Sequence, residues 1–257
     1  MRRILIILTL LLITAGAGGW FFRKPLTVFC GAVKDQLQDQ APRRALPDPK
    51  RYDAFSRQLE QWRTELATRH QAAKTAEQKA AIELEARILL EHMLPALMRC
   101  WIGTPWDFNG TAAKPGSGKI ACGYFVSTVL QDAGFRVNRY QLAQQASVHI
   151  MHSFIPPDAC TLSIGKSYDD FLKEIKGYPS GIYLVGLDRH VGFLVKTDSD
   201  FRFIHSSGAR PWQVVDESRN QASSLQQSKW RMLGNLTANP TFIRTWLEGK
   251  EVRVVRN

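Results

Sequence analysis

The stretch K119-I-A-C-G-Y-F-V-S-T-V-L-Q-D-A-G134 sets a cysteine, Cys122, where a glycine-rich loop meets an apolar helical pattern. Val126, Val129, Leu130 and Ala133 share one face of a helix over 122–133. KPGSGK, residues 114–119, is the loop that delivers the chain to this helix start. It is not a phosphate loop: Ala113 stands where a glycine is needed, and Ile120 where a Ser or Thr would bind magnesium. A helix N-terminus carries partial positive charge and free N–H groups, which favour a thiolate over a thiol. Taken alone, Cys122 also fits an inert buried cysteine.

Downstream, two β-branched and aromatic runs each carry a histidine, DRHVGFLV with His190 and FRFIHSS with His205. Strands are expected at 181–187, 190–196 and 201–205, with Thr197-Asp198-Ser199-Asp200 as a hairpin turn. Alternation sets His190, Gly192 and Leu194 on one face, and Gly192 leaves room for another chain or a substrate. Pairing 190–196 with 201–207 brings His205 opposite the start of the first strand. There it could hold the His190 ring in one tautomer, with His190 as general base. Asp188 is a rival orienting group, although its place suits the turn.

The other histidines carry less. His149 and His152 are spaced i, i+3 without a carboxylate partner and read as a solvated helix face; His70 and His92 fall in a helical region. Further short helices are expected at 139–151, 167–176 and 242–247, and a basic strand at 251–255. Upstream, Phe55, Leu59, Trp62 and Leu66 form one stripe. After a polar break at 74–78, Ile82, Leu84, Ile88, Leu89, Met93, Leu94 and Leu97 form a second. Together they predict a helical hairpin at 51–99, packed against the domain that follows. Helices first and an antiparallel sheet after is an α+β class.

The chain has 257 residues, 44% of them hydrophobic, with seven Trp and thirteen Phe, which excludes a disordered polymer. A net charge of +11 suits an anionic polymer or membrane surface as well as plain solubility. The absence of a zinc-finger, helix-turn-helix or RNA-binding signature argues against nucleic acid. Met1-Arg2-Arg3 precedes an uncharged apolar run, Ile4–Phe22, near the ~20 residues that span a bilayer. Trp20, Phe21 and Phe22 before Arg23-Lys24 resemble an interfacial belt, whereas Ala15-Gly16-Ala17 suits signal cleavage. Residues 1–22 are therefore a signal anchor or a signal peptide, 23–50 a linker, and the remainder is exported. Of Cys30, Cys100, Cys122 and Cys160, export would allow a Cys100–Cys160 disulfide, with the connectivity left open by spacing.

Four blocks in order then carry a family likeness. Gly103-Thr104-Pro105-Trp106-Asp107-Phe108-Asn109-Gly110, Ala121-Cys122-Gly123-Tyr124-Phe125-Val126, His190-Val191-Gly192-Phe193-Leu194-Val195 and Phe203-Ile204-His205-Ser206-Ser207 resemble those of the NlpC-type endopeptidases. These are papain-like enzymes that cut peptide bonds in bacterial cell walls. The resemblance covers under half the chain. It implies a papain-like cysteine hydrolase domain over 100–257, with the Cys-bearing helix packed on an antiparallel sheet. It implies Cys122 as nucleophile, His190 as base and His205 as orienting residue, with Trp106, Asp107, Asn109 and Tyr124 on the substrate side. It implies no metal or organic cofactor, and a peptidoglycan peptide as substrate. The setting is the bacterial envelope, either anchored in the inner membrane facing the periplasm or secreted into it. Ala121, Gly123, Tyr124 and Trp106 depart from the family's residues. A non-catalytic scaffold of the same fold, and a thiol amidase or acyltransferase on lipid or protein, remain open alternatives.

Overall fold

A computed structural model describes residues 46–256 of the chain. The expected membrane segment at 1–22, most of the linker and Cys30 lie outside the described residues. Among the described residues, no helix is long and apolar enough to cross a membrane.

The architecture is α+β. Two long helices open it, α1 (Pro49–Ala72) and α2 (Ala76–Arg99). Asp48 caps α1 by accepting from Arg51 N–H, with Pro49 in the first turn, where its missing N–H costs nothing. Thr75 and Gln78 form a reciprocal capping box that starts α2 after a short break. The hairpin packs as expected. Tyr52, Leu59 and Leu66 of α1, and Ile82, Leu90, Met93 and Leu94 of α2, share one core with the sheet. Leu84 departs from the expected stripe and is 55% exposed.

The remaining helices are α3 (Cys122–Asp132), α4 (Arg139–Ala143), α5 (Ser147–His152), α6 (Tyr168–Lys176), α7 (Ser223–Gln227) and α8 (Pro240–Glu248). The single helix expected over 139–151 is thus two, because the chain turns out of helix at Gln144 and re-enters only after the extended Ala146. The strands are β1 (Cys160–Ile164), β2 (Gly181–Leu187), β3 (His190–Lys196), β4 (Phe201–Ser206), β5 (Val214–Ser218) and β6 (Trp230–Asn235). They form one antiparallel sheet in the order β1-β6-β2-β3-β4-β5. No strand forms at 251–255. Val252 N–H is taken by Arg136 O and Val255 N–H by Ser153 Oγ, so this segment is tied to loops instead of a sheet edge.

Strand alternation gives the sheet two buried faces. Val191, Phe193 and Ile204 face α1, α2 and α3; Leu194, Phe201 and Phe203 face α6 and α7. An aromatic column fixes α3 against the first face. Tyr52 meets Trp101 edge-on at 5.5 Å, Trp101 meets Phe125 at 6.2 Å, and Phe125 meets Phe193 at 6.0 Å. Each such pair contributes about 0.5–1.5 kcal/mol beyond burial. Tyr52 Oη donates to Asp132 Oδ2 at 3.0 Å, which ties the start of α1 to the end of α3. The hairpin thereby positions the helix that begins with Cys122.

Candidate active site

Cys122 is the first residue of α3, and its N-cap, Ala121, offers no side-chain acceptor. The leading N–H groups of the helix therefore stay unclaimed by a cap. The loop before it is stitched down at 2.9 Å twice, Ile120 N–H to Pro105 O and Ala121 N–H to Gly110 O. Gly110 is required there, since a Cβ would lie 2.6 Å from Ile120 N. Gly123 is required as well: a Cβ would lie 2.4 Å from Ala143 O, where α4 approaches α3. Burial pushes the Cys122 thiol above the ordinary cysteine range, against the pull of three backbone N–H groups, those of Val191, Gly123 and Cys122 itself.

The Val191 amide is not claimed by β4, because the β3–β4 ladder has ended. Its last pair is Phe193 with Ile204. Beyond that point the strands carry the histidines. Continuing the register sets His205 opposite Gly192, and a Cβ on Gly192 would lie 2.8 Å from His205 Cβ and 2.9 Å from the Phe203 ring. The space expected at Gly192 is thus filled by His205 and Phe203. His190 Nε2 and His205 Nδ1 are 2.7 Å apart, and the rings meet nearly edge-on at 4.7 Å. Phe203 stacks on His205 at 4.3 Å. Burial first, and then the neighbouring His205, hold His190 well below the usual imidazole range. Burial brings His205 down to about 3. The backbone N–H groups that act on the sulfur are those of Val191, Gly123 and Cys122, and the His190 ring bonds to His205. Among the described residues no hydrogen bond joins thiol and imidazole directly. The link between them is the backbone step from His190 to Val191.

The structure adds a residue that sequence reading missed. His205 Nε2 lies 3.0 Å from Glu217 Oε2, on edge strand β5. Burial raises Glu217 to about 7, with Arg202 lowering and Asp216 raising it. Asp188 has another task. Its Oδ2 accepts from Ser228 Oγ and from Lys229 N–H at 2.9 Å, which closes the β2–β3 turn onto β6.

The residues expected on the substrate side are brought together only in part. Trp106 bridges to Ile120, just before Cys122, and packs on Trp212 at 5.5 Å, in the loop after β4. Asp107 is spent on its own loop. Oδ1 accepts from Asn109 N–H at 2.9 Å and Oδ2 pairs with Lys119 Nζ at 3.1 Å, which hold it below the usual carboxylate range. Asp107 and Asn109 line an open cleft of about 490 Å³ that runs from Asp107 to Lys119 and does not include Cys122. Tyr124 faces α4, edge-on to Tyr140 at 5.9 Å and beneath the Arg139 guanidinium at 5.1 Å.

Among the described residues the other cysteines, Cys100 and Cys160, do not pair. Cys100 Sγ donates to Ala96 O at 3.3 Å inside the core, and Cys160 sits at the start of β1; both are free. Burial pushes them to about 12 and about 11. The chain matches no protein-family model, and comparison with known proteins and with solved structures finds no match.

Proposed function

We propose that this chain is an exported cysteine hydrolase of amide bonds, a divergent papain-like enzyme of the NlpC type acting on peptidoglycan peptides. The observation that carries the proposal is the 2.7 Å His190–His205 hydrogen bond, set one residue from the Val191 amide that favours the Cys122 thiolate. A buried thiol and a buried imidazole each resist charge alone. Proton transfer from Cys122 to His190 makes both charges at once. Opposite charges made together attract, and more strongly the closer substrate binding brings them. Contacts of this kind are commonly long in empty sites and tighten with substrate bound.

In the proposed reaction the Cys122 thiolate attacks the amide carbonyl, forming a C–S bond. The Cys122 N–H is one donor to the developing oxyanion. His190 imidazolium gives its proton to the leaving amine as the C–N bond breaks. Water then gives a proton to His190 and attacks the thioester, releasing the acid and regenerating the thiol. The positive chain and the apolar start at 1–22 support an anionic polymer outside the membrane as the setting. One observation favours a second reading, a non-catalytic envelope module: thiol and imidazole are not hydrogen-bonded to each other. Digestion of purified cell wall with the wild-type protein and with Cys122→Ala, read by mass spectrometry, separates the two. New peptide ends made only by the wild type support the hydrolase, and identical fragment patterns sink it for this substrate.

A further inference from the structure

We infer that Glu217 is a positioning residue whose carboxylate selects the tautomers of His205 and His190, leaving His190 Nδ1 as the unprotonated, basic nitrogen. This rests on the hydrolase reading of Cys122 and His190, and adds a fourth member that acts through the other two. The geometry is a continuous row on one sheet face: Glu217 Oε2 to His205 Nε2 at 3.0 Å, and His205 Nδ1 to His190 Nε2 at 2.7 Å. His205 is fully buried, so water cannot substitute for either partner.

Proton counting along the row has only two solutions. An ionised carboxylate accepts and never donates. The hydrogen between Glu217 and His205 must then sit on His205 Nε2. Neutral His205 has a bare Nδ1, so the hydrogen between the rings sits on His190 Nε2. That leaves His190 Nδ1 bare and able to take a proton. With Glu217 protonated and donating, every hydrogen moves the other way, and His190 Nδ1 carries one. No net charge is gained or lost on the rings in either state. A neutral amide at 217 can donate or accept, so it selects neither.

The groups that face Glu217 are His205 and Arg202 from β4, Asp216 beside it on β5, and Tyr168 from α6, with Arg219 near Tyr168. Asp216 is engaged with Arg99 at 2.8 Å and with Arg202 at 2.7 Å, which leaves Glu217 as the carboxylate committed to His205. Burial lifts Glu217 to about 7, so it becomes the acceptor-only group as the pH rises through neutrality.

The test is nitrogen NMR of the full chain with labelled histidine, on wild type, Glu217→Gln and Glu217→Asp, each checked for folding by circular dichroism. At pH 8 the wild type should show Nε2–H on both rings, and His190 Nδ1 as a bare nitrogen. A charge-assisted bond holds this ratio at about tenfold or more. Glu217→Gln should bring in the Nδ1–H forms of both rings, and Glu217→Asp, which keeps an acceptor-only group, should restore the wild-type forms. Unchanged tautomers in Glu217→Gln overturn the inference. So does Glu217→Asp matching Glu217→Gln, which would assign Glu217 to packing. An unreactive Cys122 would remove the hydrolase reading while leaving the tautomer result standing, so the two failures are distinguishable.

Discussion

Replacing Gly192 by Ala tests the site through one methyl group. The added Cβ would sit 2.8 Å from His205 Cβ and 2.9 Å from two carbons of the Phe203 ring, all beneath a closed sheet face. Carbon atoms pack at about 3.5–4.0 Å. His205 must therefore retreat by about 0.7 Å or more. The His190–His205 hydrogen bond starts at 2.7 Å. A retreat of that size along the bond carries it to about 3.4 Å, beyond the ordinary range. Overpacking of this kind costs about 1–3 kcal/mol. For a domain of this size that lowers Tm by about 2–12 °C. Thermal unfolding measures the first effect. Site-resolved alkylation of Cys122 measures the second, and it should fall while Cys160 labelling holds. A variant with wild-type Tm and wild-type Cys122 reactivity would refute the packing of His205 against Gly192.

Three other outcomes follow from the same contacts. Tyr52→Phe removes the donor to Asp132 Oδ2. It should cost about 1.5–3 kcal/mol in urea unfolding, as expected for a bond to a charged group. Arg139→Met removes bonds of 2.9 and 2.7 Å to the carbonyls of Thr111 and Ala112, and should speed amide exchange across 103–119 while α3 stays protected. The pH dependence of stability sets the two buried histidines against Glu217. His205 is depressed from 6.5 to about 3, so its contribution is full above 6.5 and is lost as pH falls towards 3. Glu217 is raised from 4.5 to about 7, so its contribution is full below 4.5 and is lost as pH rises towards 7. Glu217 and His205 largely cancel between 4.5 and 6.5, so the loss from His190, also depressed by burial, shows through as pH falls across that window, and below 4.5 both histidines lose stability unopposed. Acid unfolding of His205→Asn should show a smaller loss below pH 4.5 than the wild type.

The segments that carry strong local signals were legible in sequence. Apolar periodicity gave α3 to within a residue, and β-branched runs gave β2 and β3 with their observed bounds and β4 one residue short. The histidine pair followed from strand alternation and hairpin register alone. β1, β5 and β6 were not legible. β1 exposes Leu162 and Ile164, and β5 ends in Asp216-Glu217-Ser218, so neither presents a long apolar run. β6 carries Arg231, which is buried by donating to the carbonyls of Leu225, Lys166 and Gln226, a compensation only tertiary structure supplies. Glu217 was missed with its strand, and only a diagonal across two strands joins it to His205. The Cys100–Cys160 disulfide was open by spacing. It fails because Cys100 is locked in the core at the end of α2, with its sulfur turned to Ala96.

If His190 activates Cys122, the quantity that must change is the rate of iodoacetamide labelling at Cys122, resolved by mass spectrometry, between wild type and His190→Gln. Labelling at Cys122 should fall at least about tenfold near pH 7, from loss of the base, with Cys160 unchanged in the same samples. Equal Cys122 rates in the two proteins would contradict it.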